Sequence, residues 1–242
     1  MAVHHKAIGF VFKKEDRLEA DRVFSVFTKE FGRLEIFGKG IRKIASKLKG
    51  SMELFRLAEL EFVQGKHKKT LTDAVSRQHF GNIFSSPEKT EIARGMTELL
   101  DGFIKGEQKD EYVLGLVIDT FTKLDTYPAR KLIYYYFFWN FISLLGYAPE
   151  LSKCATCAGP LQPGQLYFSN KEGGIICGNC FTTKKEGVAV EAETVKVLRL
   201  IIKKEWNILL KIIMEKSVEK ELHQVSENYK HYLLESVSYK KP

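Results

Sequence analysis

Two pairs of cysteines constrain the fold of this chain more than any other feature of its sequence. Cys154 and Cys157 form one C-x2-C pair, and Cys177 and Cys180 form a second, with nineteen residues between the two pairs. Two thiolates with this spacing can turn their sulfurs toward one point, and two such turns complete a tetrahedron around Zn2+. The segment between the pairs contains several Gly and Pro residues, which is typical of a hairpin. The spacing therefore predicts a zinc ribbon at about residues 150–187 with one zinc ion per chain.

Two other chemistries are open to these cysteines. The pairs could be redox-active, or they could form disulfides. A redox-active C-x2-C pair normally stands alone, and disulfides are disfavoured in the cytosol, so we favour zinc. Four thiolates close the coordination sphere, and no water-activating His or carboxylate is evident beside them, so the expected role of the metal is structural. Gly159 and Gly178 are expected to relax the backbone at the two tight turns.

Two stretches of the sequence predict a cytoplasmic location. The N-terminal MAVHHKAIGFVFKK has neither the long apolar core nor the small-residue cleavage site of a secretory signal. The longest apolar run, residues 132–147, is short of the roughly 20 residues that a bilayer requires, and it contains Asn140 and Ser143. We therefore predict a buried core helix at this run and no association with a membrane.

The spacing of apolar residues changes along the chain. Over residues 1–80 it alternates, for example at Ile8, Phe10 and Phe12, and five short strands predict a small, partly closed barrel, with a small sandwich as the alternative. Ser86 as N-cap and Pro87 at the first helical position then predict the start of a helix. Further helical spacing covers about 111–125, 128–146, 191–215 and 219–235.

These patterns predict an α+β protein of several domains. The expected parts are a small N-terminal barrel domain, residues 1–80, and a mostly α-helical domain, residues 81–242, with the ribbon inserted in it. The charge divides in the same way: residues 1–80 hold 17 Lys and Arg against 10 Asp and Glu, whereas residues 81–242 hold 21 against 20. Such asymmetry indicates a module that binds polyanions joined to a neutral one.

One stretch concentrates the basic residues: GKGIRKIASKLKG, residues 38–50, which contains no Asp or Glu. A Gly-flanked loop on a small barrel suits DNA, because several cations can each approach a phosphate and release its counterions. A solvated surface loop is one alternative. An acidic membrane surface is another, weakened because no lipidation motif or basic amphipathic helix accompanies the loop. The candidate nucleic-acid-binding residues are Lys39, Arg42, Lys43, Lys47 and Lys49.

Motifs of catalysis are missing from the sequence. Residues 32–40 approach a Walker A motif but have five residues between the glycines, where four are required, and Gly40 in place of Ser or Thr. G-x-S-x-G and H-E-x-x-H are absent, and the six histidines form no ligand cluster by spacing. Residues 1–80 show no acidic cluster suited to magnesium. The protein is therefore not expected to be an enzyme.

Three features resemble RecO, a family of bacterial recombination-mediator and DNA-repair proteins. Residues 27–50, FTKEFGRLEIFGKGIRKIASKLKG, are similar to the family's T-x-E-x-G-x-L strand turn and the basic loop that follows it. Residues 138–159, FWNFISLLGYAPELSKCATCAG, are similar to its apolar helix and G-Y-x-P turn before the first cysteine pair. The order of parts, with barrel, helices, zinc ribbon and helices, is also similar.

The resemblance implies that the barrel, residues 1–80, is an OB-fold and that the helical domain carries the zinc site. It also implies a protein that binds single- and double-stranded DNA and anneals complementary strands. RecO proteins act in the RecF pathway with RecR and the single-stranded-DNA-binding protein SSB to load RecA, which implies a cytoplasmic, nucleoid-associated protein. The five cations named above fall in the family's basic loop and the four cysteines in its zinc site. Arg33, near the strand turn, could add a phosphate contact. Residues 205–242 match no motif that assigns the contact with SSB.

A different class of function is also compatible with the sequence. The protein could be a zinc-ribbon scaffold that recruits protein partners, with the basic loop incidental. Weak, salt-insensitive binding to DNA alongside a tight protein partner would distinguish that function from strand annealing.

Overall fold

The structure, a computed structural model, describes residues 3–107 and 109–239. The chain divides into two compact units, Met1–Ile133 and Tyr134–Pro242. The first unit contains five strands and two long helices: β1 (Val3–Arg17), β2 (Asp21–Thr28), β3 (Gly32–Gly38), β4 (Arg56–Gln64), β5 (Lys69–His79), α1 (Pro87–Phe103) and α2 (Glu111–Thr126).

The five strands close into a barrel in the order β1-β2-β3-β5-β4. All neighbours are antiparallel except β3 and β5, which pair in parallel over two residue pairs. A small five-stranded barrel of this kind is an OB-fold. The prediction of a barrel rather than a sandwich is confirmed.

The barrel interior is filled by alternate residues of the strands, including Ala7, Val11, Leu34 and Ile36. The alternation predicted in β1 is present, but Phe10 lies on the outer face of the barrel, opposite to the face that Ala7 and Val11 present to the interior. The Phe10 ring centroid lies 4.5 Å from that of Phe121 in α2. Helices of the first unit therefore cover the part of the outer barrel surface where Phe residues would otherwise meet water.

Both helices of the first unit begin at side-chain caps. Ser86 Oγ accepts a hydrogen bond from the Lys89 amide, and α1 starts at Pro87 as predicted. Asp110 Oδ1 accepts from the amides of Tyr112 and Val113 at the start of α2. Each cap satisfies amides that the first helical turn leaves without backbone partners.

The second unit surrounds α3 (Lys131–Leu144), which lies within this unit from Tyr134 onward. Trp139 is fully buried, and its Nε1 donates to Ser226 Oγ at 2.9 Å. Among the described residues, no helix is both long and apolar enough to cross a membrane. The other elements of the unit are β6 (Leu166–Ser169), β7 (Gly174–Cys177), α4 (Gly178–Lys184), β8 (Val188–Ala189), α5 (Ala192–Ile202), α6 (Trp206–Leu209) and α7 (Lys216–Tyr239).

The helical spacing at 191–215 is divided between two helices, because α5 ends at Ile202. Lys204 adopts a left-handed conformation with φ of 58°, and its amide donates to Ile201 O. The Glu205 amide donates to Leu200 O, which completes the Schellman arrangement of a helix end. The buried Asn140 side chain also donates from Nδ2 to Ile201 O at 3.0 Å, so tertiary packing reinforces the break.

Candidate nucleic-acid surface and metal centre

The basic stretch lies in the connection between β3 and β4, residues 39–55. Ile41, Met52 and Phe55 are buried, and Leu48 packs against the barrel core. The Phe55 amide donates to Val11 O at 2.9 Å. The apolar residues thus hold the connection against the barrel, which leaves the residues between them on the outside.

All five predicted cations of this connection are exposed. In the described part of the chain, no carboxylate pairs with Lys39, Lys43, Lys47 or Lys49. Arg42 differs, since its Nε lies 3.5 Å from Asp16 Oδ2. The structure therefore brings together four lysines whose charge is not compensated by an ion pair, with Arg42 beside them. We call these five residues the basic loop surface.

Sequence reasoning missed two exposed apolar residues at this surface. Ile44 is fully exposed in the middle of the basic stretch. Leu18, at the β1–β2 turn, is 86% exposed, and Arg42 Nη1 donates to its carbonyl at 3.5 Å. Ile44 directly follows Arg42 and Lys43 in the basic stretch, and no pattern in the sequence places Leu18 beside Arg42.

Arg33 has partners that differ from those of a phosphate contact. Its side chain is only 16% exposed, and Nη2 lies 2.7 Å from Asp101 Oδ1. Its Nη1 donates to Ile104 O at 2.8 Å, and its Nε donates to Glu35 Oε1 at 3.2 Å. The guanidinium thus joins β3 to the end of α1, and we leave Arg33 out of the basic loop surface.

Asp101 is the acidic centre of that junction. Partial burial opposes its ionisation, but hydrogen bonds from Lys13 and Arg33 outweigh this effect and hold the pKa of Asp101 below its ordinary value. The Lys13 Nζ lies 3.1 Å from Asp101 Oδ2. The junction is therefore an ionised carboxylate between two cations.

In the second unit, the four predicted cysteines converge. Their Sγ atoms all lie within 4.8 Å of one another, and those of Cys157 and Cys177 are 3.9 Å apart. Tetrahedral zinc with bonds of about 2.3 Å places its sulfur ligands roughly 3.8 Å apart. The four thiols therefore fit a metal ion of this size and preference. The group consists of Cys154, Cys157, Cys177 and Cys180.

The backbone around the cysteines explains how they converge. Ala158, rather than Gly159, takes the left-handed conformation after the first pair, with φ of 57°. Gly159 instead leaves room for the Cys157 Sγ, which would lie 3.3 Å from an added Cβ. At Gly174, an added Cβ would lie 2.3 Å from Glu150 O. The close approach of these two segments brings the first cysteine pair to the β6–β7 hairpin.

The thiols of the cluster affect one another's ionisation. Burial of Cys154 opposes its ionisation, but backbone amides of the cluster outweigh this effect and lower the pKa of Cys154 to about 6. Desolvation, together with hydrogen bonds to the other three thiols, raises the pKa of Cys180 to about 12. Four sulfurs this close do not all ionise near neutral pH unless a positive charge compensates them.

Comparison with known proteins shows the family of the chain. The family profile described as "Recombination protein O N terminal" matches residues 1–80, and "Recombination protein O C terminal" matches residues 85–242. A protein of Dehalococcoides mccartyi named "DNA repair protein RecO" is 33% identical over 217 residues, which cover 90% of this chain and 85% of that protein.

Two more relatives carry the same name. One from Acetivibrio thermocellus is 28% identical over 227 residues, covering 93% of this chain and 89% of its own. One from Desulforamulus reducens is 25% identical over 231 residues, covering 96% and 90%. The two family profiles span both units, and the similarity to each relative runs over nearly the whole chain. The chain therefore belongs to the RecO family.

Proposed function

We propose that this protein is a non-enzymatic DNA-repair protein that anneals complementary strands and helps to load RecA on single strands coated with SSB in the RecF pathway. Its proposed partners are single- and double-stranded DNA, RecR and SSB, and its proposed location is the bacterial cytoplasm at the nucleoid. The observation that carries the proposal is the basic loop surface, where four lysines lack carboxylate partners among the described residues.

The chemistry of annealing suits such a surface. Two complementary strands repel each other through their phosphates, and lysines that neutralise these phosphates release condensed counterions. Base pairing then drives the reaction, so that no nucleotide hydrolysis is required. The buried anchors of the connection support this role, because they hold the cations on one side of the barrel without covering them.

We propose a structural role for one zinc ion per chain. The four cysteines would supply all its ligands, and such a site has no open position for a substrate. The ion would join the turn at 154–157 to the hairpin that ends at Cys177, and thus stabilise the ribbon at about 150–187 within the helical domain, 81–242. Residues 1–80 are the proposed DNA-binding domain.

The test is the annealing rate of two complementary oligonucleotides coated with the cognate SSB, without ATP. We expect strong acceleration by the protein and loss of most of it in a variant that combines Lys39→Glu, Arg42→Glu and Lys43→Glu. Circular dichroism and thermal unfolding establish that the variant is folded. Full activity of the folded variant would remove the basic loop surface from the mechanism.

The same assay distinguishes the partners. Acceleration with naked strands but not with SSB-coated strands would retain the annealing activity and count against a partnership with SSB. If the protein accelerates neither reaction, and binds DNA weakly and without salt dependence, the annealing function is refuted in favour of a zinc-ribbon scaffold for proteins.

A further inference from the structure

One apolar side chain beside the basic loop surface does not pack against the barrel. Ile44 is fully exposed, although it directly follows Lys43 in a segment that carries only basic charge. In the same connection, Ile41 and Met52 are buried and Leu48 packs against the barrel core. These residues anchor the connection without Ile44, whose side chain is therefore left in water among cations.

The backbone holds Ile44 at the tip of a turn. The Ser46 amide donates to Lys43 O at 3.0 Å, which places Ile44 and Ala45 at the two central positions of a β-turn. The preceding turn is closed in the same way, by the Lys43 amide and Gly40 O at 3.1 Å. A β-branched side chain also has few rotamers. Ile44 therefore projects from a hydrogen-bonded backbone and loses little conformational freedom when it inserts into a partner.

A second exposed aliphatic residue, Leu18, adjoins the basic loop surface. It is 86% exposed at the β1–β2 turn and has a left-handed conformation with φ of 51°. Arg42 ties this turn to the loop, because its amide donates to Ala20 O at 2.9 Å and its Nη1 donates to Leu18 O at 3.5 Å. The surface thus offers apolar as well as basic contacts, and a phosphate backbone by itself uses only the basic ones.

Cations precede and follow Ile44 in the chain. Arg42 and Lys43 come before it, and Lys47 and Lys49 come after it. Within residues 3–107 and 109–239, these lysines form no ion pair with a carboxylate. The segment therefore matches an anionic ligand that also has an apolar part. Duplex DNA has this combination, because its stacked base pairs lie between two rows of phosphates.

We propose that Ile44 is a wedge that inserts between two stacked base pairs of duplex DNA from the minor groove and kinks the duplex, while the basic loop surface holds the neighbouring phosphates. Proteins that bind the minor groove insert apolar side chains, including Ile, in this way and kink the duplex by roughly 20–90°. The cost of unstacking is offset by the additional phosphate contacts that a bent duplex permits.

The chemistry of the side chain favours a duplex over a single strand as the target of the wedge. An unpaired base binds best on an aromatic ring, whereas Ile44 is aliphatic and branched. The inference rests on the proposed DNA function and adds an activity to it, which is deformation of a duplex at one base step. Phosphate contacts made by the lysines alone would leave the duplex straight and its bases stacked.

The first test measures unstacking with 2-aminopurine, whose fluorescence is quenched while it is stacked. The probe replaces the adenine of a central TA step in a 20-base-pair duplex that has no other pyrimidine–purine step, because such steps are the most easily kinked. We expect a rise in fluorescence with saturating wild-type protein and loss of most of this rise with Ile44→Ser. The salt slope should not change, since no charge is lost. Ile213→Ser, which alters an Ile that is 95% exposed in the second unit, is the matched control.

The second test measures the kink by energy transfer between dyes at the two ends of the same duplex. The ends of a straight 20-base-pair duplex lie roughly 68 Å apart, and a central kink of about 60° reduces this distance to about 59 Å. We expect the shortening with wild-type protein and not with Ile44→Ser. Replacing the central TA step by AA should weaken wild-type binding at least about threefold and leave the affinity of Ile44→Ser unchanged.

The wedge and the DNA function can fail separately. Thermal unfolding establishes that Ile44→Ser is folded. If this variant retains both signals, or if wild-type protein binds the duplex and gives neither signal, the wedge fails and the basic loop surface stands. If wild-type protein binds no DNA in a salt-dependent manner, both proposals fail. Binding to phosphatidylglycerol vesicles that depends on Ile44, without unstacking of DNA, would replace the wedge by a membrane contact.

Discussion

Neutralising three lysines of the basic loop surface tests how this protein contacts DNA. The variant combines Lys43→Gln, Lys47→Gln and Lys49→Gln. All three are exposed, and no ion pair of the described residues involves them, so the free energy of unfolding should change by less than about 0.5 kcal/mol per substitution. Any change in binding then reports on DNA contacts rather than on folding.

The expected change in the salt dependence of binding follows from the number of cations that contact phosphates. Each phosphate contact with a single strand contributes roughly −0.7 to the slope of log K against log salt concentration. The four unpaired lysines contribute about −2.8 together, and Arg42 as a fifth contact would make it about −3.5. Removing three lysines should reduce the slope by about 2.1. Between 50 and 200 mM salt, the wild-type affinity should therefore fall about 20-fold more than that of the variant.

The assay is fluorescence anisotropy of labelled dT20 at four or more salt concentrations. A variant with Lys211→Gln, Lys216→Gln and Lys220→Gln is the matched control, because it loses the same net charge at exposed positions of the second unit. We expect its slope to equal that of the wild type. An unchanged slope in the loop variant would refute contact between these lysines and phosphates. Equal reductions in both variants would show that net charge, and not the loop, determines binding.

Three further predictions concern the metal centre and stability. Wild-type protein should contain about one equivalent of zinc, and Cys157→Ser should lower this content and the helical signal in circular dichroism; full zinc in the variant would exclude the four-thiolate site. Asp101→Asn should lower the free energy of unfolding by about 1–3 kcal/mol at pH 7, measured with urea. Because the folded-state pKa of Asp101 is depressed, this difference should be complete above about pH 4 and shrink as the pH falls further; a constant difference would contradict the ion pairs. Gly174→Ala should destabilise the protein by at least about 2 kcal/mol, because its Cβ would meet backbone, whereas Gly115→Ala in α2 meets no atom and should be neutral or stabilising in the same thermal unfolding assay.

Much of the molecule follows from local patterns. The C-x2-C pairs predict the cysteine cluster, because two residues between ligands leave only a tight turn. Ser86 and Pro87 predict the start of α1, because capping depends on neighbouring residues alone. The basic stretch could be predicted as well, since its five cations lie close together within residues 38–50.

The sequence does not show which face of a strand is inside. The alternation at Phe10 and Phe12 marks a face, but both faces of β1 are buried in part, one by the barrel interior and the other by a helix more than a hundred residues away in the chain. For the same reason, the sequence does not show on which face of β3 Phe37 lies. Its side chain points outward because Leu34 and Ile36 of the same strand fill the interior of the closed barrel.

Arg33 illustrates the same limit for charge. From the sequence it is one more cation near the basic stretch, whereas in the folded chain it lies against Asp101, 68 positions further on. By itself, the sequence determined most of the elements, the cap of α1, the cysteine cluster and the place of the charge, since these depend on residues within a turn or two of each other. Only the tertiary structure decided which cations remain unpaired and which face of each strand is inside the barrel, because closing the barrel and docking the helices bring distant residues into contact.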